Sequence, residues 1–234
     1  MAFLQSQPPR EPFLHAPATV LWLIAALVLA HIAMGIVPTA LSDEILTQYA
    51  LIPARYIHGV SSSGALFALA VPFASYMFLH GDFVHLGVNC LWLLAFGPIV
   101  ARRFGAILFY VFFAVCGAAG AATCLAMDWG SSDVFIGASG AISGLMGAAI
   151  RMYPLPGLRL ARSLAPIFSR PILLFSGIWL AVNFVFGLTG FREGGEIQQI
   201  AWQAHAGGYL VGLTLAGVFD ALHHRWPTKK PDAG

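Results

Sequence analysis

Long apolar runs separated by short polar clusters dominate the chain. Six of them, 20–37, 83–100, 104–127, 135–152, 171–188 and 200–222, reach the roughly 18 residues that an α-helix needs to cross about 30 Å of hydrocarbon. Their length and lack of charge predict membrane-spanning helices, because lipid leaves a backbone no water to bond and only a helix or a closed barrel satisfies it internally. The fold class is therefore all-α, a membrane bundle of six transmembrane helices. A seventh apolar stretch, 65–79, is too short, contains Pro72 and runs straight into His80 and Asp82. It reads as a re-entrant or interfacial segment, which makes the first loop partly membrane-embedded.

Composition agrees with this solvent. The chain is 59% hydrophobic and 9% charged, more apolar surface than a water-soluble domain of 234 residues can hide. With six spans and a cytoplasmic N-terminus, Arg10, Arg102, Arg103, Arg151, Arg159, Arg162, Arg170, Arg225, Lys229 and Lys230 all fall inside, and only Arg55 and Arg192 fall outside. A seventh span would scramble that bias. The net charge of +2 is thus a topology signal with some attraction to anionic lipid, and it gives no reason to expect nucleic acid. Residues 1–18, rich in proline, read as a short cytoplasmic tail; 19–223 form one membrane domain; 224–234 form a second cytoplasmic tail. A cleaved signal peptide is not expected, since the first apolar run is long and lacks a small-residue cleavage site. Cys90, Cys116 and Cys124 lie within spans and read as small buried hydrophobes, with no disulfide or metal spacing.

Polar groups at membrane depth are costly, so each needs a partner, a water cavity or a role. His80, His85 and Asn89 lie at the start of the second span, Ser139 at the start of the fourth and His205 at the start of the sixth. In this topology all three spans begin at the outer face, so the groups gather at one shallow level. His85 and Asn89, four apart, share a helix face and can aim donors at one spot. Ser139 stands in Gly137-Ala138-Ser139-Gly140, in the first turn of its helix, where free N–H groups favour a developing negative charge. Gly140, Gly144 and Ala148 on the fourth span, and Ala204, Gly208, Gly212 and Ala216 on the sixth, form small-residue stripes that permit close packing and a Ser139–His205 hydrogen bond. Each feature has a plainer reading: a serine bonded to its own backbone, a structural histidine, ordinary packing stripes. Their occurrence at one depth is what the plainer readings leave unexplained.

The motifs His80-Gly-Asp-Phe-Val-His85-Leu-Gly-Val-Asn89, Gly137-Ala138-Ser139-Gly140 and Ala204-His205-Ala-Gly-Gly208-Tyr-Leu-Val-Gly212, in this order, resemble those of the rhomboid family of intramembrane serine proteases. The resemblance implies Ser139 as nucleophile and His205 as general base, a dyad without an orienting carboxylate. It implies an oxyanion hole from Asn89, His85 and the Ser139 N–H, structural roles for His80, Gly137, Gly140, Gly208 and Gly212, and no metal or organic cofactor. The partners it implies are transmembrane protein substrates with helix-destabilising residues, cut near the outer face of a lipid bilayer; the six-span core with short tails fits a bacterial inner membrane.

This chain departs from the family pattern in two places. Ser143 stands where many members carry an aromatic that stacks on the histidine, which leaves open how His205 is oriented. Val71-Pro72 stands where many carry Trp-Arg, which leaves open how the first loop sits in the outer leaflet. Two other functions compete: a rhomboid-like pseudoprotease that binds helices without cutting them, and a small transporter lined by His80, His85 and His205. Retention of Ser139 and His205 argues against the first. The apolar sequences beyond Asn89 and Gly212 argue against the second, since they end the polar path partway.

Overall fold

The computed structural model describes residues 16–57, 63–152, 163–193, 196–198 and 200–225. Helix α1 (Ala18–Ile36) opens the chain, and its buried Val20, Leu23 and Leu27 recur every three to four residues, the spacing of a single packing seam. Trp22, Leu29 and Ile36 on its other faces are exposed, as lipid-facing side chains are. The first loop then builds α2 (Thr39–Tyr49), a 3₁₀ turn (Pro53–Tyr56), α3 (Ser63–Ala70), α4 (Pro72–Ser75) and a second 3₁₀ turn (Tyr76–Phe78). Its apolar part, 66–78, is too short to span, in keeping with the re-entrant reading. Pro72, at the first position of α4, is where the helical path breaks, because proline donates no N–H.

The bundle continues with α5 (Phe83–Phe104), α6 (Ala106–Met127), α7 (Ser139–Met152), α8 (Arg170–Thr189) and α9 (Trp202–Arg225). Among the described residues four helices, α1, α5, α6 and α8, are long and apolar enough to cross a membrane, and α7 and α9 complete the six predicted from the sequence. Two short strands were not expected: β1 (Phe191–Glu193) pairs antiparallel with β2 (Glu196–Gln198) between α8 and α9. Most of both terminal tails, with Arg10, Lys229 and Lys230, lies outside the described residues, as do Arg159 and Arg162.

The helix of the fourth span is shorter than its apolar run. The run begins at Phe135, but the helix begins at Ser139, in keeping with Ser139 in the first turn, and has only 14 residues. Gly137 sits at φ +115°, a conformation that ends any helix, and Phe135 pairs in an isolated bridge with Leu51. Irregular backbone at membrane depth is tolerated where protein surrounds it, and α7 is buried almost all round, packed chiefly on α9 with α6 and α5 beside it. At 1.5 Å per residue α7 is about 21 Å long, shorter than a hydrocarbon layer of about 30 Å.

The end of the bundle remote from Ser139 is tied by paired charges. Arg103 grips Asp220 through two parallel bonds, Nε to Oδ1 at 2.6 Å and Nη2 to Oδ2 at 2.8 Å. Arg151 donates to the carbonyls of Ala165 and Leu213. The cysteines are free; Cys116 and Cys124 are buried between helices as small hydrophobes.

Candidate active site

Asp82 sets the register of the site. Its carboxylate accepts the His85 N–H at 2.8 Å and caps α5, so His85 and Asn89 follow one turn apart on one face. Asn89 is buried, and one hydrogen of its amide goes to the His85 carbonyl at 3.1 Å, leaving the other available. Gly137 passes directly over this pair. A methyl group placed on it would lie 2.6 Å from His85 Nε2 and 3.8 Å from Asn89 Nδ2, so both the positive φ and the close approach require glycine. The Gly137 N–H is held by the Tyr76 carbonyl at 2.9 Å, which ties the strand before α7 to the first loop.

Two residues later Ser139 opens α7, with the unpaired N–H groups of a helix start around it. Its Oγ lies 2.7 Å from His205 Nε2. That contact depends on an unusually close crossing of α7 and α9. The Cα of Gly208 abuts the carbonyl of Gly140, and that of Gly212 abuts the carbonyl of Gly144, with no room for a Cβ at either. The two small-residue stripes are therefore the surfaces along which these backbones touch.

The structure brings Ser139, His205, His85, Asn89 and Gly137 to one place. His80 stands one ring further back, its centroid 5.1 Å from that of His85 and 6.5 Å from that of His31. It is 7% exposed, and neither ring nitrogen has a hydrogen-bond partner among the described residues. Burial, and next the neighbouring His85, push its pKa down to about 4. An unfolded histidine titrates near 6.5, so within that window only the unfolded chain takes up this proton. Stability is full above the window and declines as pH falls through it. The His80→Leu variant should flatten this slope, by up to about 1.4 kcal/mol per pH unit, in thermal unfolding compared at pH 7 and pH 5.

One polar partner escaped the sequence reading. Asn183, in the middle of α8, places its Oδ1 2.7 Å from His205 Nδ1. The run 171–188 was treated as uniformly apolar, yet an amide at membrane depth is itself a signal of a specific partner. Ser176, seven residues earlier on the same face, likewise bonds Tyr209 of α9 at 2.7 Å. Among the described residues, no group of three or more His, Cys, Asp or Glu side chains is placed to hold a metal ion.

A family model described as Rhomboid domain matches residues 68–220, more than half of the chain. RHOMBOID-like protein 4 of Arabidopsis thaliana is 27% identical over 157 residues, which cover 67% of this chain and 36% of that protein. The chain thus spans little more than a third of the length of this relative.

Proposed function

Since the chain belongs to the rhomboid family, we propose that it is an intramembrane serine endopeptidase, cutting transmembrane segments of other membrane proteins near the outer face of the bilayer. The observation that carries this reading is the 2.7 Å bond between Ser139 Oγ and His205 Nε2, beside an amide and an imidazole directed at the start of α7. In this reading Ser139 Oγ attacks the scissile carbonyl carbon and its proton passes to His205 Nε2. The carbonyl oxygen becomes an oxyanion facing Asn89 Nδ2, His85 Nε2 and the N–H groups at the α7 start. Collapse breaks the C–N bond, and the leaving amine takes the proton from Nε2. Water, with Nε2 as base, then adds to the acyl-enzyme, releases the carboxylic acid product and restores the Ser139 hydroxyl.

A membrane serine protease needs water for that second step. Ser139 is half-buried and recessed by the shortness of α7, a depth that water from one face can reach. A substrate helix must unwind before its carbonyl meets Ser139, so segments weakened by glycine or proline are the expected class. The reading places residues 19–223 as the working membrane domain, with both termini cytoplasmic and the bacterial inner membrane as its setting.

The test is purified protein in liposomes with a glycine-containing model transmembrane substrate. Cleavage at the end of the segment nearer the outer face is expected, and Asn89→Ala should lower turnover by about 10²-fold or more through loss of one oxyanion donor. Binding of the substrate without any cleavage would instead favour a helix-binding pseudoprotease.

A further inference from the structure

We infer that Asn183 is a positioning residue for His205, so that the reactive groups form a Ser139–His205–Asn183 relay borne on α7, α9 and α8. This inference rests on the protease reading above. Both ring nitrogens of His205 are engaged, Nε2 with Ser139 Oγ and Nδ1 with Asn183 Oδ1, each at 2.7 Å. The second bond settles the direction of the first. Asn183 Nδ2 donates to the Trp179 carbonyl at 2.9 Å, which fixes the amide so that its oxygen is the atom turned toward the imidazole. A carbonyl oxygen only accepts, so Nδ1 carries the proton. Nε2 is left with its lone pair toward the Ser139 hydroxyl, the tautomer that a base for that hydroxyl requires.

The surroundings leave this task to Asn183. Among the described residues no aromatic ring stacks on His205, while Trp179 stacks on Tyr209 one helical turn away at 4.5 Å. Ser143, one turn beyond Ser139 on α7, is small and offers no ring surface. Much of helix α8 is exposed, with Leu173, Leu174, Ile178, Val182 and Val185 on its outer side, while Ile172 is buried and Trp179 and Leu180 pack against the core. Its two inward polar side chains, Ser176 and Asn183, are seven apart and meet Tyr209 and His205 of the antiparallel α9, which are four apart. The upper of these two rungs is the one that holds the imidazole. An amide is a weaker partner than a carboxylate for the imidazolium formed in the reaction, and it selects the tautomer here because the Trp179 carbonyl holds Nδ2 and leaves Oδ1 facing Nδ1.

The experiment compares Asn183→Leu and Asn183→Asp with the parent protein in liposomes, using the model transmembrane substrate and ¹⁵N-histidine NMR. The His205 signals are assigned by their absence in His205→Gln. Asn183→Leu should lower kcat by roughly 10²–10³-fold with KM changed less than about threefold, and Asn183→Asp, which again accepts from Nδ1–H, should recover to within about tenfold of the parent. The NMR of the parent should show the proton on Nδ1, and that of Asn183→Leu a mixture of tautomers. Retention of kcat within about threefold by Asn183→Leu, with the Nδ1–H tautomer intact, would overturn the inference. An Asn183→Asp protein that unfolds like the parent but is as slow as Asn183→Leu would overturn it as well. A parent that cleaves nothing, but shows the Nδ1–H form only while Asn183 is present, would sink the protease reading and sustain the positioning role.

Discussion

In the protease reading, cleavage of a transmembrane substrate should fall by a factor on the order of 10⁴ to 10⁶ in Ser139→Ala, by a similar factor in His205→Ala, and no further in the double variant. The equality is the informative part. Ser139 and His205 share one proton across a 2.7 Å bond, so either residue alone has nothing to do that the other does not enable. Independent contributions would multiply, whereas members of one chemical unit do not. In the proposed mechanism, whatever acceleration survives should come from the groups assigned to bind and polarise the substrate, chiefly Asn89 and His85. The check is a cleavage time course for the four proteins at equal concentration in the same liposomes, with thermal unfolding to confirm that each is folded.

Gly208→Leu should be the most damaging change outside the reactive groups themselves. A side chain at this position meets the carbonyl of Gly140, which is backbone and cannot rotate away, and the equally close approach of Gly212 to Gly144 at the next rung leaves the helices no slack. Relief requires α9 to move off α7, the most closely packed helix pair in the bundle. Overpacking of this kind costs about 3 kcal/mol or more. A shift of about 1 Å at the crossing also breaks the Ser139–His205 geometry, which alone is worth about 10²-fold in rate. Unfolding in detergent should therefore show a large loss of stability together with lost cleavage. Gly177→Ala on α8, where an added Cβ meets nothing within 4 Å, is the matched control and should leave stability within about 0.5 kcal/mol.

These two expectations differ in how far they were visible without coordinates. The spans were legible because hydrocarbon imposes a length that a run of apolar residues either meets or does not, and all six helices begin and end within four residues of the predicted runs. The small-residue stripes were legible too, since a four-residue period of Gly and Ala has a direct geometric meaning on a helix. The apolar run of the fourth span starts four residues ahead of its helix, because Phe135 to Ala138 are as apolar as the helix they precede. The backbone at Gly137, at φ +115° beside the His85 ring, fixes where the helix starts. Strands β1 and β2 have three residues each, too few for an alternating pattern to register. Asn183 was missed for a different reason. Its significance lies in a partner on another helix, and an averaged hydropathy over the run conceals a single amide that membrane depth should have made conspicuous.

The most direct test of the Ser139–His205 unit is covalent labelling. Purified protein treated with a fluorophosphonate probe and mapped by mass spectrometry should carry one adduct, on Ser139, and lose it in both Ser139→Ala and His205→Ala. Equal labelling of the Ser139→Ala protein, or an adduct placed on another residue, would contradict the assignment of Ser139 as the nucleophile.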